Sequence, residues 1–182
     1  LRIDKRVGWE LVVVAEALEI DGASFSSLRL AGSGSAAAHR LDLDATEARG
    51  RIEAGLSGRW TDPAWSGMLD RLTLTPADGA SWTLADTSAL DWDGKRLVLA
   101  PACLAVAAAS ICVGVDHSGA STRLDINVDA LPLGELMALA PTGDWKVQGE
   151  LAGGGALTLD AAGSMAGTLQ FAIADGVLDA GA

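Results

Sequence analysis

The sequence has no tyrosine, two phenylalanines and six tryptophans among its 182 residues, so aromatic side chains are scarce. The apolar residues, 49% of the chain, are therefore mostly leucine, valine and alanine. The longest apolar stretch, residues 97–115, is interrupted by Pro101 and Ser110 and carries too little bulk for a membrane-spanning helix. We expect these aliphatic residues to lie inside a fold rather than in a bilayer span.

Positive charge is also scarce, with 13 Lys and Arg residues against 24 Asp and Glu residues and a net charge of −11. No cluster of Lys or Arg residues offers a local exception. Such a chain repels a phosphate backbone, which argues against nucleic acids as partners. Electrostatic adsorption to an anionic membrane surface is disfavoured for the same reason.

Residues suited to catalysis or metal binding are few, since the chain has two histidines and two cysteines. His39 has no second His or Cys at ligand spacing, so we predict a structural role for it. In VDHS, residues 115–118, neighbouring side chains on a strand would point to opposite faces and cannot form a triad. Asp42 and Asp44 lack the other oxygen ligands of a calcium loop. The sequence predicts no enzyme, no cofactor and no metal site.

What the sequence has in abundance is alternation of apolar and polar residues. Residues 40–44 and 123–129 are clear examples, and Asp-Gly or glycine-rich turn segments separate such runs. A period of two is typical of strands with one apolar and one polar face. We therefore predict an all-β fold, a meander of about twelve to fourteen strands. The pattern fits a long curved antiparallel or mixed sheet folded into an apolar-lined trough, and it also fits a closed β-sandwich.

Two segments depart from this alternation. Trp9 to Ile20 has bulky residues on both parities, and its valine triplet favours a buried strand over a short helix. Leu131 to Pro141 has apolar residues at helical spacing and ends at a proline. We predict one short helix near residues 131–140.

The two cysteines, Cys103 and Cys112, lie in the same apolar stretch. A metal site, two buried thiols and a disulfide are the alternatives. Two cysteines with no nearby histidine supply only half the ligands of a zinc site, whereas free cysteine packs well in apolar surroundings. The spacing suits two segments joined by a tight loop, which favours a disulfide and hence an oxidising compartment.

Several segments, in order, resemble the TamB family of Gram-negative bacteria. Residues 28–44 are similar to its G-x-G…H-x-L-x-L segment, and residues 56–74 to its G…W-x-G-x-L segment. Residues 97–115 resemble its paired-cysteine stretch. Residues 127–141 and 145–163 resemble its L-P-L helix and the G-x-L strand that follows. The resemblance covers most of the chain from Leu28 onward, and it is the order of the segments, more than any single motif, that makes it specific.

The resemblance implies a long periplasmic β-structure with an apolar lining, akin to AsmA-like lipid-transfer proteins and anchored in the inner membrane. It implies phospholipid acyl chains as ligands and passage of phospholipid between the two membranes. It also implies a link to outer-membrane protein and autotransporter assembly with the barrel TamA. We expect residues 1–182 to be a single segment of the β-trough cut from a longer protein, with TamA contacted through other parts of that protein.

The parity of the strands predicts which side chains would line the trough. All are aliphatic or aromatic and lie opposite Arg, Asp, Glu and Thr residues on their strands. They are Leu41, Leu43, Ile52, Leu56, Leu72, Leu74, Leu97, Leu99, Leu124, Ile126, Leu157, Leu159, Leu169 and Phe171.

Two other functions stay open at this point. Exposed edge strands would suit a scaffold that pairs with strands of outer-membrane protein clients, or with another copy of the chain. An adhesin or carbohydrate-binding sandwich would need clustered aromatic residues and paired carboxylates at a cleft. The six tryptophans are scattered along the sequence, which counts against that last function.

Overall fold

The computed structural model describes residues 8–20, 23–134 and 146–179, and these form one twelve-stranded sheet. All of its ladders are antiparallel, so the all-β prediction is confirmed and no parallel pairing occurs among the described strands. The strands are β1 Trp9–Ile20, β2 Ala23–Gly34, β3 His39–Glu47, β4 Gly50–Thr61, β5 Ala64–Pro76, β6 Trp82–Leu84, β7 Ser88–Trp92, β8 Arg96–Val106, β9 Ala109–Ser118, β10 Ser121–Pro132, β11 Lys146–Asp160 and β12 Met165–Asp179.

The sheet is a meander in which almost every strand pairs with its neighbours along the chain. The exception lies between β5 and β8, where two short strands share one position. β6 pairs with Thr73 and Leu74 of β5, whereas β7 pairs with residues 65–69. Both then pair with β8, so the sheet stays continuous.

The valine-rich first segment is a strand, as predicted, but the prediction that it is buried was wrong, because β1 is an edge strand and its valines are exposed. β1 pairs with β2 over most of its length, and Val13 lies opposite Leu30. Val12 and Val14 point to the other face, where they are exposed. Bulky residues at both odd and even positions therefore indicate, in this segment, an edge strand with apolar side chains on both faces.

The helix predicted near residues 131–140 begins later than the sequence suggested. Leu131 and Pro132 belong to β10. Of the described residues that follow directly, Leu133 and Gly134 are helical. A bulge at Ala130, which has a φ of 46°, restores the pairing of Leu131 with Leu151. Leu131 is thereby 2% exposed, and its burial holds the strand together beyond the bulge. Residues 135–140 of the predicted helix lie outside the described residues.

The sheet is curved into an open trough. Register shifts, where one strand carries an extra residue, occur in five of its ladders, and such bulges bend a strand and increase its twist. Among the described residues no large side chain is fully buried, and most buried apolar residues are alanines. A closed sandwich would bury large side chains between two layers. The closed β-sandwich, the alternative to the trough, is therefore not the fold of the described residues.

The two edges of the sheet are β1 and β12, and each presents unpaired backbone groups on its outer side within the described sheet. Exposed apolar side chains accompany them, among them Val14 at 60% and Ile173 at 56%. We expect the chain to self-associate through these edges as its concentration rises. Light scattering over a concentration series measures this, and Val14→Lys should weaken it whereas Asn127→Lys, on β10 and two strands in from the nearer edge, should not. A strictly monomeric particle at all concentrations would contradict the prediction.

The apolar face as a candidate functional site

Strand register, the residue-by-residue pairing of neighbouring strands, places the leucines of the first half on one face of the sheet. Leu43 lies opposite Ala54, and Ala54 lies opposite Leu72. Ile52 lies opposite Leu74 in the same way. Residues that face each other across an antiparallel ladder point to the same side. We call this side the apolar face and the opposite side the charged face.

The second half of the sheet continues the same face. Leu99 lies opposite Val115, Val115 opposite Leu124, and Leu124 opposite Leu157. Next to this row, Ile126 faces Gly155, and Gly155 faces Leu169. The apolar residues therefore form rows that cross the strands, and not isolated clusters within them.

All fourteen side chains predicted to line the trough lie on the apolar face by this register. They are half-buried or exposed, and none is fully covered. The register thus places these residues on one shared side of the sheet, the side that their alternation predicts. Contact of these residues with acyl chains stays a prediction.

Three leucines on the apolar face escaped the parity rule. Leu69 lies opposite Leu56, although it is three positions before Leu72 and strict alternation would put the two leucines on opposite faces. Leu104 and Leu131 join the face in the same way, after register shifts in β8 and β10. In each case one extra residue reverses the alternation. The local signals are Asp70 and Pro101, a charge and a proline interrupting apolar runs.

Four tryptophans gather at one margin of the apolar face. Trp9 begins β1, Trp60 is near the end of β4, Trp65 is near the start of β5, and Trp92 ends β7. Trp60 lies opposite Trp65, which lies opposite Trp92. We call these four residues, together with His39, the aromatic lip. The tryptophans are scattered along the sequence, but these four lie together in the fold. The argument against a carbohydrate-binding sandwich that rested on their dispersal was therefore wrong.

Ring contacts and one hydrogen-bond chain hold the aromatic lip together. Ring centroids are 5.9 Å apart for Trp9 and His39, 6.1 Å for His39 and Trp65, and 5.4 Å for Trp60 and Trp92. Trp65 Nε1 donates to His39 Nε2 at 2.7 Å, and His39 Nδ1 donates to the Ser35 carbonyl oxygen at 3.0 Å. His39 is therefore neutral in this arrangement, because its Nε2 accepts a hydrogen bond. These hydrogen bonds are what the structural role predicted for His39 requires.

Glycines beneath the aromatic lip let the indoles lie against the backbone. A Cβ at Gly58 would come within 2.3 Å of Trp65 Cζ2, and one at Gly67 within 2.5 Å of Trp65 Cη2. A Cβ at Gly32 would come within 2.7 Å of Trp9 Cζ3. No side chain at these positions fits without moving a ring, so the glycines are part of the lip's construction.

The charged face carries ion pairs between neighbouring Arg and carboxylate residues. Arg51 binds Asp44, and its hydrogen bond lowers the pKa of that carboxyl below its ordinary value. Arg96 Nε donates to Asp116 Oδ1 at 2.7 Å and likewise lowers the pKa of Asp116. These pairs are solvent-exposed, so each contributes little to stability by itself. They keep the carboxylates ionised and the outer side of the sheet hydrated.

Cys103 and Cys112 face each other across the β8–β9 ladder, and the structure joins their sulfur atoms at 2.09 Å. A two-residue turn at Ala107 and Ala108 connects the two strands. Cys112 also lies opposite Asn127, so the disulfide is on the charged face. It braces the hairpin without occupying the apolar face.

In the described part of the chain, no group of three or more His, Cys, Asp or Glu side chains is arranged to hold a metal ion. No helix of those residues has both the length and the apolar character to cross a bilayer.

Comparison with known proteins identifies the family. The family model described as TamB, N-terminal domain, matches residues 1–179, including the first 27 residues that carried no specific resemblance. Searches of curated proteins and of solved structures return no match. Because the family model covers nearly the whole sequence, the chain belongs to the TamB family, a group of Gram-negative envelope proteins connected with lipids and outer-membrane assembly.

Proposed function

We propose that this chain forms a periplasmic segment of a trough whose apolar face holds phospholipid acyl chains on their way between the inner and outer membranes. The segment acts without catalysis, and it works as part of a longer protein that is anchored in the inner membrane. TamA is the outer-membrane partner of that longer protein.

The observation that carries the proposal is the continuity of the apolar face. Its rows cross eleven successive strands in the main path of the sheet, from β1 to β12. At a strand spacing of about 4.8 Å, ten steps give a length on the order of 50 Å. Aliphatic side chains dominate its interior, and no second layer covers it among the described residues. An apolar surface of this length exposed to water favours an apolar occupant.

Acyl chains fit the chemistry of this surface better than a compact ligand does. A site for one small molecule usually combines an apolar cavity with a few convergent polar groups. Between the aromatic lip and the far ends of the strands, the face instead repeats leucine, valine, isoleucine, alanine and glycine. Such a surface favours flexible hydrocarbon without fixing its position, as a conduit requires.

Site-specific photo-crosslinking tests the proposal directly. A photoreactive amino acid at Ile126, on the apolar face, should capture phospholipid in the periplasm of a Gram-negative host, and mass spectrometry should identify the adduct. The same amino acid at Asn127, exposed on the charged face of the same strand, is the matched control and should capture none. Equal capture at both positions, or none at Ile126, would argue that the apolar face has another occupant.

A second candidate function is supported by the exposed edges. β1 and β12 could each add a strand from an outer-membrane protein client by β-augmentation. Crosslinks to unfolded barrel proteins from edge positions, rather than to lipid from Ile126, would favour this scaffold function. The carbohydrate-binding alternative finds less support, because Asp91 near the aromatic lip lies opposite Ser66 and Val98 on the charged face.

A further inference from the structure

We propose that the aromatic lip binds the glycerol–ester region of a diacyl phospholipid, so that the lipid lies with its polar end at this margin and its tails across the trough. This inference rests on the proposed function and adds an orientation to it. It assigns two side chains, Trp60 and Trp92, as donors to the ester carbonyl oxygens of the lipid.

The first argument is the change of chemistry along each strand. On β5, Trp65 lies at the aromatic lip, whereas Leu72 and Leu74 lie toward the other end of the strand. Nine residues separate Trp65 from Leu74, or roughly 30 Å of extended strand. Indole combines an apolar body with one N–H donor, and it concentrates where hydrocarbon meets water. Along β5 the apolar face is therefore interfacial at the aromatic lip and hydrocarbon-like beyond it, and only one indole, Trp82, lies opposite Leu74 toward the other margin of the described sheet.

The second argument is that the indole N–H groups are used differently within the aromatic lip. Trp65 donates to His39 and is fixed against Gly58 and Gly67, so it serves as a positioning residue. Trp60 and Trp92 have no such hydrogen bond among the described residues, and Trp92 is 37% exposed. Their rings pack against each other at the open margin, where the N–H groups remain available to an acceptor.

The third argument concerns charge, which selects the ester region over the headgroup. Arginines near this margin belong to the charged face and are already engaged, and Arg40, next to His39, is paired with Asp42. Arg59 donates to Ser66 Oγ at 3.3 Å, and Arg96 is paired with Asp116. The donors of the aromatic lip itself are thus neutral, and Lys95, a cation close by in sequence, lies in the turn between β7 and β8 and not on the apolar face. The aromatic lip suits a carbonyl oxygen, and a lipid phosphate would stay outside in water.

The inference predicts discrimination between ester and ether lipids. A diether phospholipid has the same tails and headgroup but no carbonyl acceptors. Two lost hydrogen bonds should weaken its binding about tenfold relative to the diester lipid. Trp60→Phe with Trp92→Phe keeps aromatic rings and removes both donors, so the double variant should bind the two lipids equally. Trp82→Phe, changed at the far side of the same face, is the control and should still discriminate.

Quenching of tryptophan fluorescence tests the orientation of the lipid. The probes are phosphatidylcholines with a nitroxide either beside the carbonyl or near the chain terminus. The emission of Trp60 and Trp92 is obtained by subtracting the spectrum of the double Phe variant from that of the unaltered chain, and it should be quenched more by the nitroxide beside the carbonyl. The emission of Trp82, obtained in the same way from Trp82→Phe, should be quenched more by the nitroxide near the chain terminus. Circular dichroism checks that each variant folds, and Trp92→Phe alone serves if the double variant does not.

The possible results separate this inference from the proposed function. Stronger quenching of Trp60 and Trp92 by the terminal nitroxide, or equal binding of diester and diether lipids by the unaltered chain, would overturn the orientation. Lipid binding would survive both of those results. Absence of quenching by either probe would overturn the proposed function itself, and this inference with it.

Discussion

Replacing Ile126 by Glu is expected to leave the chain folded and to abolish its support of outer-membrane integrity. Ile126 is half-buried on the apolar face, with Val113 on one side and Gly155 on the other. Gly155 has no side chain, and no second layer lies above this position among the described residues. A glutamate there can turn its carboxylate to water, although the charge would stand in the path proposed for lipid tails.

The size of the stability change distinguishes a trough from a packed core. An unpaired carboxylate sealed in a core would cost several kcal/mol, which is a large share of the 5–15 kcal/mol that typically holds a domain together. In the open trough we expect a loss below about 2 kcal/mol, or roughly 4–8 °C in Tm for a chain of this size. Thermal unfolding of the purified chain measures this effect.

The functional half of the test uses the full-length protein. Ile126→Glu should fail to rescue the outer-membrane defect of a strain lacking the parent protein. Asn127→Glu introduces the same charge one residue away, on the charged face, and should rescue fully. Unfolding of the Ile126 variant would show that this row is ordinary core. Normal rescue by a folded Ile126 variant would show that lipid does not pass over this row.

The disulfide is expected to contribute the next largest effect. Replacing both Cys103 and Cys112 by serine should lower the free energy of unfolding by about 2–3 kcal/mol. The disulfide closes the short loop between these two residues and so restricts the unfolded chain. That loss corresponds to roughly 4–12 °C in Tm. Reducing agent should lower the Tm of the unaltered chain similarly and leave the double serine variant unchanged. Ser110→Ala, two residue pairs along the ladder from the disulfide and on the same face, controls for packing changes on the charged face.

Two further measurements complete the test of the disulfide. Protein from the periplasm, denatured without reductant, should present no titratable thiol, and two thiols per chain would contradict the bridge. Because Cys103 and Cys112 lie on the charged face, their loss should not affect lipid capture at Ile126. A loss of capture in a folded double serine variant would mean that the hairpin also shapes the apolar face.

The sequence predicted the strands and their apolar side because both follow from a simple alternation. The alternation of apolar and polar residues was enough to place Leu124 and Ile126 on the apolar face. Leu69, Leu104 and Leu131 could not be assigned in this way, because each lies beyond a bulge that parity does not reveal. A bulge depends on the pairing of two strands, which no single-strand pattern contains.

The aromatic lip was unpredictable for a different reason. Trp9 and Trp65 are distant along the chain, and both contact His39 only after four hairpins place the ends of their strands at the same margin. Gly58 and Gly67 looked like ordinary small residues until the indole above them was known. Sequence patterns report the face of a residue well, but they do not report which strand ends meet.

The meander order gives the molecule an almost one-dimensional energetics. Each strand depends on the strands before and after it, as in a repeat protein, so stability is approximately a sum of neighbour terms. Contacts that are short in sequence also make folding fast and allow it to begin at any hairpin. Such a sheet can be lengthened or shortened by whole hairpins without rebuilding the rest, so the length of its apolar face can be changed in steps of one hairpin.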